Sequence, residues 1–515
     1  MKLTTRAASW MESWTALSLP ILSHKPAKQT WWEKPSKRFL FYLLCFLSGV
    51  AVADWRSWPS KICLIAVIIA AVAVYFFKRP VFRLFCLSLL FFVVGAWRLS
   101  AANEQYRQSL PPEAQVYNLE ARVCRELLPR PAYQEIEACL ADGRRVQVLA
   151  AKFPELNYDD RLSFSCRPER MIERKRSLAA RGLIGVCAFP KIRATAGPAD
   201  DWRAVLLRWR QRAAGYVSLG MPEPAAGLAK ALVLGYMNTF DQQTSQRFSR
   251  TGTSHFISIG GMHMSIMIAA LLWLLIGLGL RRQVAYLLAL PLLVIYLALV
   301  GFPAPAARSV VMAITVIAAF FSGRLANVGG SLLLAAVVLV AINPLILLGD
   351  ISFQLSFITL AAIVYTGQPL LEKAERPRVV ARWRQALGWL MAGMAVTVAA
   401  QLAALPLVAN LFGQLSLVAP LANLAIVPLA APVLWSILLG IILSFVGLPP
   451  LVVFAPATLL NSFIVWSVNF FSAWPWAVIN LPVFSGAGIA AYYALLLAVF
   501  WLFRQYLTYK LENRQ

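Results

Sequence analysis

Between residue 39 and residue 503 the chain is a succession of apolar runs, and no other feature limits its fold so strongly. Runs such as 284–301, 330–346 and 485–503 carry no Asp, Glu, Lys or Arg. Each approaches the roughly 20 residues that a helix needs to cross hydrocarbon. With 59% of its 515 residues hydrophobic, the chain holds more apolar surface than a soluble core can use. The sequence specifies a polytopic α-helical membrane protein.

Charge then orients the runs. The formal net charge is +25. Retention of basic loops in the cytoplasm and attraction to anionic headgroups account for such an excess; a polyanionic substrate such as nucleic acid is the sharper alternative. Basic residues cluster at Arg281 and Arg282, at Arg324, at Lys373, Arg376, Arg378, Arg382 and Arg384, and at Arg504 and Lys510. With each cluster assigned to the cytoplasm, spans alternate at 255–279, 284–301, 306–322, 330–346, 350–367, 386–410, 418–443, 450–472 and 485–503. Three more precede them at Phe39–Val52, Ile62–Phe77 and Val81–Trp97. The expectation is about twelve spans with both termini cytoplasmic and residues 100–200 outside. Pro420, Pro428 and Pro432 interrupt 418–443, which also reads as two half-helices lining a cavity. Residues 1–38 are polar, basic and rich in Trp (Trp10, Trp14, Trp31, Trp32), and read as a cytoplasmic or interfacial leader. Phe39–Val52 ends in Ala51-Val52-Ala53 and so imitates a signal peptide, but the stretch before it is too long for the usual charged segment.

Residues 99–200 are a different material. Short alternating runs at Val116–Cys124, Glu135–Leu140, Val146–Ala151, Leu162–Cys166 and Ile184–Ile192 read as strands. Leu162, Phe164 and Cys166 alternate with Arg161, Ser163 and Ser165, the period of a half-buried strand. This many short strands in so few residues suit a small β-barrel, OB-like and extracytoplasmic. Cys124, Cys139, Cys166 and Cys187 all fall there, where disulfides persist; the alternative is four unpaired buried thiols. Cys45, Cys63 and Cys86 fall in spans and act as small apolar groups.

From Gln242 to Gly349 there is no Asp or Glu. Carboxylate relays of the kind proton-coupled carriers place in their spans have one candidate, Asp350. No GxxxxGK[ST] loop holds ATP phosphates, and three histidines are too few for a two-metal hydrolase. We expect no catalytic activity, no metal and no cofactor.

A few polar groups stand inside the apolar core. The stretch Thr253-Ser254-His255-Phe256-Ile257-Ser258-Ile259-Gly260-Gly261-Met262-His263 holds two of the three histidines and a Gly-Gly break at the mouth of a span. Such groups are expensive in hydrocarbon. His255 and His263 do not share a helix face, so lining or hinging a pathway competes with plain helix contact. Arg308 is the only Arg or Lys between Arg282 and Arg324. It either snorkels to headgroups or meets phosphate from a polar cavity. Asp350 and Gln354 share a helix face, as a cap with helix–helix glue or as pathway groups. Gln401, Asn410 and Asn423 pose the same choice.

The segment 253–263 is similar to the HxxxISGLH signature of the ComEC-type competence proteins, and other segments follow in that family's order. Ala180-Arg181-Gly182-Leu183 resembles its ARGI step, Ala226–Gly235 its AGLLxALLLG helix, and Phe248–His255 its FrrtGlxH lead-in. Ala307–Ala313 is similar to vRAaiMa, and Asn343-Pro344-Leu345 comes after it. Asp350–Phe357 resembles dxGFQLSF, and Gln401–Pro406 resembles AQlxtlP. The resemblance covers most of the chain beyond residue 38. Two departures matter: Gly260 stands where the family has a serine, and Ser352 where it has a glycine.

The resemblance implies an inner-membrane, multi-pass channel that translocates single-stranded DNA into the cytoplasm during natural transformation. Implied partners are single-stranded DNA, the membrane, an external DNA-receptor protein, and a cytoplasmic motor or single-strand-binding proteins; a homo-oligomer is left open. His255, Ser258, Gly260, Gly261, His263, Arg308, Asp350, Gln354 and Gln401 are the residues expected to line or gate the DNA pathway. The expected domains are a leader at 1–38, three spans at 39–98, the OB-like domain at 99–200, amphipathic helices at 201–252, the channel core at 253–505 and a tail at 506–515. Many relatives continue into a metallo-β-lactamase-like domain, which we expect here to be absent or supplied by another protein. The competing readings are a transporter or flippase for a small anionic or lipid-linked substrate, and a membrane scaffold with no permeant.

Overall fold

The computed structural model describes residues 35–55, 58–76, 79–110, 117–124, 128–129, 133–153, 156, 158–169, 175–195, 202–236, 242–321, 328–367 and 382–512. Most of the leader, together with Arg324, Lys373, Arg376 and Arg378, lies outside the described residues. Among the described residues, five helices are long and apolar enough to cross a membrane: Lys37–Trp55, Pro80–Ser109, Arg282–Leu299, Leu390–Phe412 and Ala419–Phe445. Shorter apolar helices, including Ser60–Phe76 and Gly261–Gly277, stand beside them. Their outward faces carry large bare side chains such as Ile65, Phe85, Trp273 and Leu495, an apolar surface of the kind that suits lipid and not water.

The helices Pro35–Trp55, Ser60–Phe76 and Pro80–Ser109 form an N-terminal bundle. A Cβ at Gly95 would lie 2.2 Å from the Phe46 carbonyl oxygen, and one at Gly49 1.9 Å from that of Phe92. Glycine thus lets two backbones touch, which is how helices pack where lipid removes the hydrophobic drive between them. The third helix does not stop at Trp97. Ala-, Asn-, Glu- and Gln-containing turns continue it to Ser109, out of the apolar region and up to the sheet. Arg98 donates 3.0 Å hydrogen bonds to the carbonyls of Ala341 and Ile342, capping the helix Val328–Ile342 where its last carbonyls lack partners.

The segment 117–195 is a curled sheet of β1 (Tyr117–Val123), β2 (Leu128–Pro129), β3 (Tyr133–Leu140), β4 (Arg145–Ala151), β5 (Arg161–Cys166), β6 (Leu183–Ala188) and β7 (Ile192–Thr195). The strand order is β6-β4-β3-β1-β5-β7, with β2 beside β3. All pairs are antiparallel except β4 with β6. The alternation in β5 places Leu162, Phe164 and Cys166 inside, against Val123, Ile136 and Val148. Two disulfides join Cys124 to Cys139 and Cys166 to Cys187, with Cα separations of 5.7 and 5.9 Å. The second links β5 and β6, which are far apart in the strand order, so the sheet must roll to bring them together. Paired backbone bonds between Glu169 and Val186 reinforce that roll. The expected strand Ile184–Ile192 is two strands, β6 and β7. Phe189 takes a positive φ of 47° and is followed by Pro190, which cannot donate to a ladder.

The remaining helices pack around Val217, Leu228, Leu232, Phe256, Ile426, Val433 and Ile464. The expected span 255–279 is not continuous. A short turn, Ser254–Ile257, gives way to extended backbone at Ser258 and Gly260, and the helix restarts as Gly261–Gly277. In 418–443 the prolines tighten the chain and do not part it: a 3₁₀ turn, Val427–Leu429, joins Ala419–Ile426 to Ala430–Phe445. A small ribbon pairs β8 (Gln414–Ser416) with β9 (Val478–Asn480).

Candidate functional site

The helix break at 258–260 sits where several of the motif segments meet. Gly260 precedes the first turn of Gly261–Gly277, and a Cβ on Gly261 would lie 3.5 Å from Ser309 Oγ. That is an ordinary van der Waals distance, and it sets the break next to the start of the helix Ala304–Phe321, beside Arg308. Arg308 is 4% exposed. Its Nη2 donates to the Ser352 carbonyl oxygen at 2.8 Å and to Ser352 Oγ at 3.1 Å. Nη1 is 3.8 Å from Asp350 Oδ2. Asp350 Oδ1 in turn accepts from Ser352 N at 2.9 Å, an N-cap on the helix Ile351–Ala362. The side chain therefore does not snorkel. It ties two helices through a guanidinium fork, and Ser352, the departure from the family pattern, supplies one of its acceptors.

His263 is 1% exposed, and neither ring nitrogen has a hydrogen-bond partner among the described residues. Its ring meets Phe256 edge-on at 6.0 Å. His255 is exposed, with Nδ1 3.2 Å from the Gly252 carbonyl oxygen. Among the described residues no group of three or more His, Cys, Asp or Glu side chains could hold a metal ion. Gln354 and Gln401 stand apart from the arginine cluster. Gln354 donates to the Leu347 carbonyl at 3.0 Å, and Gln401 to that of Ser416 at 2.9 Å. Asn410 is tied reciprocally to the backbone of Phe484.

The ARGL step and Asn343 form a joint between sheet and core. Asn343 Nδ2 donates to the Ala180 carbonyl at 2.8 Å. Arg176 pairs with Asp54 at 3.0 Å, and Arg181 pairs with Glu137 in the sheet. A Cβ at Gly349 would lie 2.5 Å from the Arg176 carbonyl oxygen. The sheet domain thus rests on the turn that leads directly into Asp350 and Ser352. A cavity of about 540 Å³ opens beside this joint, with Asp54, Asn103, Tyr106, Arg107 and Arg176 on its wall.

Arg210 is the residue that sequence reasoning missed. The segment resembling AGLLxALLLG is a short helix, Ala225–Ala229, that widens into a π-turn, Lys230–Leu234. Its last carbonyls need partners in apolar surroundings. Arg210 Nε donates to the Leu234 carbonyl at 2.6 Å, and its guanidinium lies 4.2 Å from the centre of the Tyr236 ring. Tyr296 donates to the Val233 carbonyl at 2.9 Å. The signal was present: Arg210, Ala213, Val217 and Gly220 form the buried stripe of Trp202–Gly220, whereas Arg203, Arg208 and Arg212 lie off it.

Known proteins share this core. The family model described as competence protein matches residues 232–506, more than half of the chain. Competence protein ComA of Neisseria gonorrhoeae is 31% identical over 308 residues, 57% of this chain and 41% of that protein. ComE operon protein 3 of Bacillus subtilis (strain 168) is 25% identical over 233 residues, 44% of this chain and 28% of that protein. The matched stretches reach less than half of either relative's length. No solved structure matches the chain. The match over the helical core, where the motif segments converge on the break at 258–260, makes this chain a member of the competence protein family.

Proposed function

We propose that this protein is a multi-pass bacterial inner-membrane channel that carries single-stranded DNA inward during natural transformation, without catalysing a reaction. The observation that carries this reading is the family match across the helical core, supported by a core stretch, 242–349, that holds no carboxylate to repel phosphate. Both termini are cytoplasmic, and the curled sheet is an OB-like domain on the outer side. An external receptor delivers DNA, and a cytoplasmic motor or single-strand-binding protein draws it in.

In this reading the break at 258–260 is the gate. Gly261 against Ser309, and Arg308 held by Ser352 and Asp350, describe its closed arrangement. Opening would exchange Arg308's protein acceptors for DNA phosphates, while His263, whose ring nitrogens have no hydrogen-bond partner among the described residues, marks the wall that moves.

Cells lacking the gene should bind labelled external DNA but accumulate none in the cytoplasm, and Arg308→Gln at normal protein level should do the same. Undiminished import by the deletion strain would refute the channel. Loss of a small anionic or lipid-linked metabolite, with DNA import intact, would establish the carrier alternative.

A further inference from the structure

A second cluster of basic residues lies outside the proposed gate, on the short helix Gln242–Arg250. This helix is held firmly. Phe248 is fully buried, as are Thr251 and Thr253 just beyond it, whose hydroxyls bond to each other at 2.7 Å. Ser249 Oγ accepts from Gln414 at 3.1 Å. Gln243, Gln246, Arg247 and Arg250 recur at the spacing of one helix face. They line a cleft of about 420 Å³ whose other wall is Asn469, Ser472 and Ala473, at the end of the helix Ala455–Ser472.

The chemistry of this cleft is one-sided. Arg247 Nη1 donates to Asn469 Oδ1 at 2.9 Å, so the asparagine's acceptor is engaged and its NH₂ group is what it offers a ligand. Two guanidinium groups and three carboxamides line the cleft, and none of its seven lining residues is Asp or Glu. The chain turns at Gly252 and leads to His255, so the cleft adjoins the proposed gate; with the basic clusters assigned to the cytoplasm, this end of the spans falls on the outer side, as residues 100–200 do.

We propose that this cleft is a docking site for the phosphodiester backbone of single-stranded DNA, at the outer mouth of the path that leads to the break at 258–260. The inference rests on the DNA-channel reading. Guanidinium forks and amide donors bind phosphate oxygens without reading bases, so the site accepts any sequence. None of its seven described lining residues is aromatic, so their contribution is electrostatic and falls with salt.

The test uses the full-length protein in nanodiscs and fluorescent oligo-dT, oligo-dC and oligo-dA, with affinity measured across a salt series. Arg247→Gln/Arg250→Gln should weaken all three oligonucleotides to a similar degree and flatten the slope of log affinity against log salt by about 1.4, at about 0.7 per lost phosphate contact. Arg250→Gln alone should flatten it by about 0.7 without disturbing the Arg247–Asn469 bond. Arg247→Lys/Arg250→Lys should restore most of the slope, and Arg281→Gln/Arg282→Gln should leave it unchanged. An unaltered slope in the first two variants, or no oligonucleotide binding by the unmodified protein, overturns the site. The channel reading is judged separately, by DNA import in the deletion strain. Competition by inorganic phosphate, equal to that of the oligonucleotide per phosphate group, would reassign the cleft to small anions and overturn the DNA assignment.

Discussion

Two glycines show how differently the same residue type is constrained in this protein. At Gly349 a side chain has nowhere to go, because the Arg176 carbonyl oxygen and Ala180 Cβ stand 2.5 and 2.9 Å from where its Cβ would be. At Gly260, which stands at the serine position of the ISG signature that the segment resembles, the nearest atom to such a Cβ is the Ser258 carbonyl oxygen at 3.7 Å, and the backbone is extended with φ −125°. Gly349→Val should therefore destabilise the purified protein by about 1–3 kcal/mol, as overpacking does, and loosen the sheet domain from the core. Gly260→Ser should change stability by less than about 0.5 kcal/mol. Melting temperatures in one detergent compare the two; equal melting would contradict the close contact at Gly349. Arg308 illustrates what single residues do not disclose. Its isolation in an apolar run marked it as special, but its acceptors lie 44 residues away on Ser352, and no local pattern encodes that pairing.

At the scale of elements, the β-strands were legible because period-two alternation is a direct image of one buried face. The split between β6 and β7 was not, since an apolar run looks the same whether or not Phe189 turns the chain. The Gly-Gly pair announced the break at 258–260. The π-turn at Lys230–Leu234 left no mark, because its buried small and aliphatic residues suit an α-helix equally well. The cysteine pairing was open among the three possible schemes and is resolved as Cys124–Cys139 and Cys166–Cys187. Their closed loops span 15 and 21 residues in sequence, so each bond should contribute about 3 kcal/mol by restricting the unfolded chain. In unreduced, denatured protein these four thiols should resist alkylation while Cys45, Cys63 and Cys86 react. Labelling of all seven would exclude both bonds.

At the scale of the whole molecule, the segregation of a charged, cysteine-bearing sheet from apolar helices was visible in composition alone, and so was the approximate place of the apolar helices, whereas the helix Lys175–Arg181 was not. Which helices touch was not, because lipid-facing and partner-facing positions are equally apolar. The proposed topology rests on the basic clusters. Reporter fusions at Arg145 and Arg378 should register opposite compartments, and the same compartment for both would refute the alternating arrangement. The helix Pro80–Ser109 has a mechanical consequence. At 30 residues it is a rod about 45 Å long, rooted in the N-terminal bundle by Gly95 and bonded at its far end to the sheet through Tyr106 and Leu183 at 2.8 Å. It would act as a lever: from Gly95 to Tyr106 the arm is about 16 Å, so a tilt of about 5° at Gly95 would sweep Tyr106 through about 1.4 Å. A load pulling on the sheet domain would reach the N-terminal bundle through that arm, and would reach the turn at Gly349, which adjoins Asp350, directly through Arg176 and Ala180.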